Sequence, residues 1–431
     1  MSGSRSLHTI EDWISKEQIS FPLDSTADLN AAIDRLVFSL DDKVELLGFG
    51  EGLHGSEEIL KLRNRLFHRL VERHGFRAIA LESTFIKGRV TNEYVAGEGY
   101  DGYDHLIETG FGHGFGSLEM NRELVEWMRR YNKDSRNTTK LRFYGIDIPT
   151  EYYCVASPGR ALRFVLSFLD SADEEKARKF RELIEPLLGA DADWENTDAL
   201  TDATKSVGLS PSANTLRLAT EDLAVELRTH RPEYIAKTTE DRFAEALHYC
   251  HIARQTANFH AGVARKAEPG CLMAIRDALM ADNLAYIADC ERGRGKTLVF
   301  AHNAHLQRTR AVLPWYSWWP AGAHLHEMFG SRYVVIGSGL GVSEPNGIGE
   351  PEAHSLEARL NGPEQLASFI PTHRGARLAE AEAAQLPTRT GSKRNMSYVP
   401  FSAQSLAQFD WLAFVPNSHY HRGGLPLPET A

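Results

Sequence analysis

Val44-Glu-Leu-Leu-Gly-Phe49-Gly-Glu51-Gly-Leu-His54-Gly-Ser56-Glu57-Glu58 changes character twice within one short stretch. An apolar run gives way to glycine-spaced polar residues, and these give way to acidic residues ahead of a long amphipathic segment. The pattern reads as a buried strand that delivers polar side chains into a loop opening a helix. Ser56 suits the N-cap, Glu57 and Glu58 suit the positive helix start, and Arg73-His74-Gly75 suits the end. Five further runs have the same apolar character: Arg77–Leu81, Leu141–Ile146, Lys296–Phe300, Arg332–Ile336 and Trp411–Val415. Strands buried on both faces and separated by helix-length segments predict an α/β fold, a mostly parallel central sheet flanked by helices. The stretch 155–265 lacks a strand pattern and carries helical periodicity broken by Gly208-Leu-Ser-Pro-Ser-Ala213. It is expected to be a helical insertion within one domain spanning 1–431. Gly337-Ser-Gly339-Leu-Gly341 imitates a dinucleotide-binding loop, but its third glycine comes early and Pro345 stands where the helix should run, so a flexible loop is expected. The stretch 338–352 and the tail after Tyr420 are the expected mobile segments.

Composition narrows the function. Of 431 residues, 42% are hydrophobic and 25% charged, an ordinary globular balance with enough apolar mass for a real core. Lys plus Arg number 48 against 58 Asp plus Glu, a net charge of −10. That is the wrong sign for neutralising phosphate backbones, so no nucleic-acid partner is expected. No apolar run is long enough to span a membrane, and the first residues lack a signal-peptide core. A soluble, cytoplasmic protein with no membrane partner is the expectation. Cys154, Cys250, Cys271 and Cys290 form no C-x-x-C pair, and reduced thiols are expected.

Polar residues recur where the strands end. Glu51 and His54 follow the first strand, Glu82 the second, Asp147 the third, and His302 the Lys296–Ala301 run. In a parallel sheet ligands bind outside the carboxyl ends of the strands, so these residues are expected to converge at one edge. Taken singly, each is equally well read as a helix cap or a satisfied loop residue. Two helices carry a second signal. With Ile59 at zero on a wheel of about 100° per residue, Leu62, Leu66, Phe67 and Leu70 form an apolar stripe and Arg63 falls inside it. On the helix over roughly 271–290, Arg276 and Asn283 share the stripe of Leu272, Ile275, Leu279, Met280, Tyr286 and Ile287. A buried guanidinium must meet an acceptor, either a core carboxylate or a ligand group.

His302-Asn-Ala-His305, with Glu51, His54 and Glu82, could supply metal ligands or an acid–base set. No H-E-x-x-H and no G-x-S-x-G occurs, which argues against a zincin and an α/β-hydrolase serine esterase. Water activated by an imidazole is the simpler chemistry, with a carboxylate fixing the tautomer and a cation steadying the oxyanion. It needs no metal and no cofactor, and none is expected.

The ordered set Gly50-Glu51-Gly-Leu-His54-Gly-Ser-Glu-Glu58, Gly75-Phe-Arg-Ala-Ile-Ala-Leu-Glu82, Tyr144-Gly-Ile-Asp147, Arg276-Asp-Ala-Leu-Met-Ala-Asp-Asn283 and Ala301-His302-Asn-Ala-His305 resembles the erythromycin esterase family. The resemblance implies a hydrolase that opens an ester or macrolactone with water, acting on a bulky small molecule, with the helical part bordering the cleft. It implies His54 as general base, Glu51 as its acidic partner, and Glu82 and His302 as the other catalytic residues. Arg63, Arg276 and His305 fall on positions that line or support the cleft, and Asn283 and Asp147 are grouped with them as substrate-binding. The chain departs from the family pattern at Gly110-Phe-Gly-His-Gly-Phe-Gly116 and in the aromatic Trp315-Tyr-Ser-Trp-Trp-Pro320, so its substrate contacts should differ. The same apparatus could serve cyclisation or acyl transfer in secondary metabolism, or a binding protein whose histidines and glutamates are ligands.

Overall fold

The computed structural model describes residues 9–151, 154–313, 315–372 and 386–427. The strands are β1 (Ile19–Phe21), β2 (Leu46–Glu51), β3 (Phe76–Thr84), β4 (Arg142–Asp147), β5 (Thr150–Glu151), β6 (Cys154–Val155), β7 (Lys296–His302), β8 (Ala311–Val312), β9 (Ser317–Trp318), β10 (Tyr333–Val342), β11 (Ala367–Pro371) and β12 (Trp411–Asn417). Eight of them form one sheet in the order β1-β11-β12-β10-β2-β7-β3-β4. From β12 to β4 every neighbouring pair is parallel. The pairs β1–β11 and β11–β12 are antiparallel and finish one edge.

Alternation along the strands explains why both faces are covered. Leu46, Ala80, Ile146, Val299, Val335 and Leu412 enter one hydrophobic core, shared with helices between Gly159 and Glu291. Leu47, Phe49, Ile79, Phe143, Leu298 and Ile336 enter a second, beneath the helices Thr26–Phe38, Glu57–Arg73 and Glu119–Lys133. Each large side chain so buried contributes about 1.5–3 kcal/mol, which favours helices on both faces over a half-solvated sheet. Among the described residues no strand occurs between Val155 and Lys296. Helices Gly159–Ala172, Glu174–Leu188, Pro211–Thr229, Arg231–Lys237 and Glu240–Ala264 fill most of that stretch, and Ser210 caps the third with Pro211 at its first position. Among the described residues no helix is long and apolar enough to cross a membrane.

Two expectations are corrected. Gly337–Gly341 is not a loop: it lies inside β10 and is buried throughout. A Cβ at Gly337 would meet Phe409 at 2.6 Å and one at Gly339 would meet Phe401 at 2.5 Å, so these glycines let aromatic rings lie flat on the strand. Within the rest of the Gly- and Pro-rich stretch Asn346 is fully buried and donates to the carbonyl of Gly55, which anchors that point of it. The segment from His419 to Arg422 lies against the start of the helix Glu57–Arg73. Arg422 pairs with Glu57, His419 with Glu58, and Tyr420 bridges to Ser56.

Candidate active site

The parallel register gathers the strand-end residues at one edge. Glu51 lies opposite His302 across β2 and β7, and Asp147 lies opposite Thr84 across β4 and β3. Glu82 joins them by accepting the backbone N–H of His302 at 2.7 Å.

His54 sits in the loop after β2, one turn ahead of the Ser56 cap, which accepts the N–H of Ile59. Its Nδ1 is 2.7 Å from Glu51 Oε1. A distant segment holds the loop: Ser397 Oγ accepts the His54 N–H and Asn395 donates to its carbonyl. Burial lowers the affinity of this imidazole for a proton, but the charge and hydrogen bond of Glu51 outweigh it and raise the pKa above its ordinary value. With Nδ1–H donated to the carboxylate, the neutral ring carries its lone pair on Nε2. The ring is 30% exposed, against 6% for Glu51.

Across the edge lies a closed ionic network. Arg276 grips Asp147 through Nε (2.9 Å) and Nη2 (2.6 Å), and Nη2 also reaches Glu82 at 2.9 Å. His113 adds a contact to Asp147 at 3.1 Å. Burial raises both carboxylates' proton affinity, but the surrounding cations win, holding Glu82 well below and Asp147 below the usual range. His305 places Nδ1 2.9 Å from Asp277, which also accepts from the Trp318 indole and the Ala321 N–H. Against the cost of burial, Asp277 and Glu82 push His305 up to about 10, so it is an imidazolium at neutral pH.

His302 differs from both. Its Nδ1 accepts the Ala304 N–H at 3.1 Å, and its Nε2 lies 2.9 Å from the Ser397 carbonyl. Those partners dictate the neutral Nε2–H tautomer, and burial with the neighbouring His54 charge pulls its pKa down to about 3. Its ring is centred 5.0 Å from that of His54. Both nitrogens are committed to backbone, so the geometry makes His302 a support beside His54 and leaves it no free nitrogen for proton transfer.

Arg63 does not meet a strand-end carboxylate. It donates to Asn64 Oδ1 through Nε and Nη2, and to the Met120 carbonyl, with its guanidinium 4.9 Å over the Phe300 ring. Among the described residues no carboxylate comes within ion-pair distance, and burial lowers its pKa to about 10. Asn283 is fully buried. It donates to the Ile146 carbonyl and meets His248 at 2.7 Å, so it braces β4 and does not line the cavities below. Asp147, also fully buried, acts through Arg276.

His54 and Glu82 stand between two cavities. The larger, a cleft of about 1320 Å³ of atom-free space with the solvent at its mouth included, is lined by Arg276, His302 and His305 among its polar residues. Phe259, Leu272 and Met273 line it from the two long helices, and Tyr316, Trp318, Met396 and Ser397 from loops. The smaller, about 350 Å³, is lined by Glu51, Arg63, Phe115, Asn121, Phe300 and His421. Among the described residues no group of three His, Cys, Asp or Glu is spaced to hold a metal. Sequence reading missed Ser397, Asn395, His113, Asp277, Asn121 and His421. Asp277 adjoins Arg276 and His113 lies in the glycine-rich segment Gly110–Gly116; the others are loop or helix residues with no local signal.

The erythromycin esterase profile matches residues 71–418, which take in Glu82, Asp147, Arg276, His302 and His305. The chain is 25% identical over 342 residues to erythromycin esterase type II of Escherichia coli, covering 76% of each. To erythromycin esterase type I of the same organism it is 23% identical over 308 residues, covering 70% of this chain and 71% of the relative. Solved structures share the fold at 19% identity. A Bacillus cereus protein has a TM-score of 0.74 over 96% of this chain and 98% of its own. A mutant of the erythromycin esterase EreC in its open conformation has a TM-score of 0.65 over 95% and 99%. With four-fifths of its length under the family profile, the chain belongs to the erythromycin esterase family of ester-hydrolysing enzymes.

Proposed function

We propose that the protein opens a bulky lactone or ester, of the macrolide ester class its relatives are named for, by adding a water molecule that His54 activates. The observation that carries this reading is the 2.7 Å contact between Glu51 and His54 Nδ1 at the junction of the two cavities. Glu51 fixes the tautomer, so Nε2 is left to accept a proton from water as the oxygen attacks the acyl carbon. The negative charge that develops on the carbonyl oxygen then needs a donor already in place. His305 and Arg276 supply imidazolium and guanidinium at the cleft wall, 3.3 Å apart, and Arg63 supplies a second guanidinium in the smaller cavity. The proton on His54 passes to the departing alkoxide, which balances the reaction: one water enters, and a carboxylic acid and an alcohol result. Glu82 and Asp147 hold Arg276 and His305 in place, and His302 holds the floor beneath His54. In this reading residues 1–431 work as one unit, with the helical stretch 155–265 beside the cleft, in the cytoplasm, where free thiols such as Cys250 remain reduced.

Hydrolysis in water enriched in oxygen-18 tests it. The ring-opened product of a macrolactone should gain one water, and the acid released from either a macrolactone or an aryl ester should carry a single heavy oxygen in its carboxyl group. A product of unchanged mass, or a heavy oxygen in the alcohol, would overturn it.

A further inference from the structure

The C-terminal segment carries a histidine with no part in the chemistry above. His421 stands just past residue 418, where the family profile ends, yet it lines the smaller cavity together with Glu51, His54 and Arg63. Its backbone is fixed from both sides. The His421 N–H donates to the Gly55 carbonyl, the carbonyls of His419 and Arg422 accept the N–H groups of Glu57 and Glu119, and the Arg422 side chain pairs with both of those carboxylates. The ring is held as well: Tyr420 packs on it with ring centres 4.4 Å apart, and a Cβ at Gly424 would meet His421 Nε2 at 2.1 Å. Among the described residues neither ring nitrogen of His421 has a hydrogen-bond partner. Burial, with the neighbouring His54 charge, pulls its pKa down to about 4, so at neutral pH it is an uncharged imidazole with one N–H and one lone pair to offer.

Two other groups of the smaller cavity are uncommitted. With Nδ1 given to Glu51, His54 keeps a lone pair on Nε2. Arg63 donates through Nε and Nη2, and its Nη1 has no partner among the described residues. The two carboxylates on this cavity are engaged, Glu51 by His54 and Glu82 by Arg276 and the His302 N–H. What is left is one cationic donor, one lone pair and a neutral ring that can do either, a set that a water molecule satisfies. A bulky ester fits the cleft of about 1320 Å³ and leaves the cavity of about 350 Å³ to a small molecule.

Resting on the hydrolase reading above, we propose that the two reactants occupy separate cavities, the ester the larger and the attacking water the smaller, and that His421 holds this water against His54 Nε2. The water donates one proton toward Nε2 and the other to the bare nitrogen of His421, and accepts from Arg63 Nη1, about the three hydrogen bonds usual for an ordered buried water. As its oxygen bonds to the acyl carbon the first proton passes to His54, and the charge of Arg63 steadies the negative charge growing on the tetrahedral centre. His421 neither gains nor loses a proton.

A crystal structure of the full chain and steady-state kinetics on p-nitrophenyl acetate and a macrolactone test this. His421→Phe keeps a flat ring without hydrogen bonds, and His421→Gln keeps a donor and an acceptor. Wild type should hold a water within about 3.2 Å of both His54 Nε2 and a ring nitrogen of His421. In His421→Phe kcat should fall about tenfold with KM unchanged, the worth of one well-made hydrogen bond in the transition state, and His421→Gln should recover most of it. The acid limb of kcat/KM should keep its wild-type midpoint in His421→Gln, where one neutral group replaces another. Wild-type crystals without that water would overturn the proposal, and so would an unchanged kcat in folded His421→Phe. A rise in KM with kcat held would also overturn it, by placing the ester in the smaller cavity, as would an acid limb displaced in His421→Gln, by making His421 the titrating base. Should His421→Phe fail to fold, the wild-type water and the His421→Gln limb still decide. If wild type cleaves neither ester, the hydrolase reading fails separately and the crystal alone judges the water site: present, the site stands; absent, it falls.

Discussion

Arg63 and Arg276 occupy equivalent places in the sequence pattern, each a guanidinium inside an apolar helix stripe, yet they meet opposite environments. Arg276 binds two carboxylates that are themselves buried. Arg63, more deeply buried than Arg276, is met by neutral oxygens and an aromatic face. Periodicity reports that a side chain is buried; it does not report its partner, which comes from a distant strand end in one case and from the neighbouring residue in the other. The difference also divides the labour. A cation already neutralised stiffens the floor, whereas a cation with no carboxylate within ion-pair distance keeps more of its field for whatever enters the smaller cavity.

The largest effect expected is at His54, which stands between the two arginines. His54→Gln should remain folded and lose about 10² or more in kcat, the usual worth of a general base. Turnover near wild type in a folded His54→Gln protein would remove the residue from that role.

The arginines themselves break the comparison next. Arg276→Leu strands Glu82 and Asp147 without their cation and should cost about 3–5 kcal/mol in urea unfolding. Arg63→Leu strands no carboxylate and should change stability by less than about 1–2 kcal/mol while still lowering kcat/KM. Equal destabilisation by the two substitutions would mean that Arg63 has a counter-charge after all.

A smaller effect separates the imidazolium side from the rest. His305 is raised from its ordinary 6.5 to about 10, so its contribution to stability is complete below pH 6.5 and is lost as pH rises toward 10. The melting temperature should fall over that interval, and less steeply in Asp277→Asn, whose own stability is lower. A slope unaffected by Asp277→Asn would place the alkaline loss elsewhere.

Much of the architecture was legible because the six parallel strands carry short apolar cores buried on both faces. The antiparallel edge was not, since Ile19–Phe21 is too short to show alternation and Ala367–Pro371 ends in a residue that reads as a breaker. Gly337–Gly341 misled because glycine displays no hydrophobic periodicity. The rings of Phe401 and Phe409, which require those glycines, lie more than sixty residues away. In the site, Glu51, His54, Glu82, Asp147 and His302 could be singled out because each stands near or just past the end of a recognisable strand. The fixed tautomer of His302 could not, for it depends on the Ser397 carbonyl. Asn283 looked like a cleft residue because helical phase cannot distinguish a side chain facing a cavity from one bonded to a neighbouring strand.

The pH dependence of kcat/KM in wild type and Glu51→Gln tests the central claim most directly. The base must be unprotonated to act, so activity should fall as pH drops through the pKa of His54, with a midpoint above 6.5 because Glu51 raises it. Replacing Glu51 by Gln removes the negative charge and leaves the effect of burial, so the midpoint should move to lower pH. An acid limb already below 6.5 in wild type, or one that Glu51→Gln leaves in place, would contradict the assignment of the Glu51–His54 pair as the group that activates water.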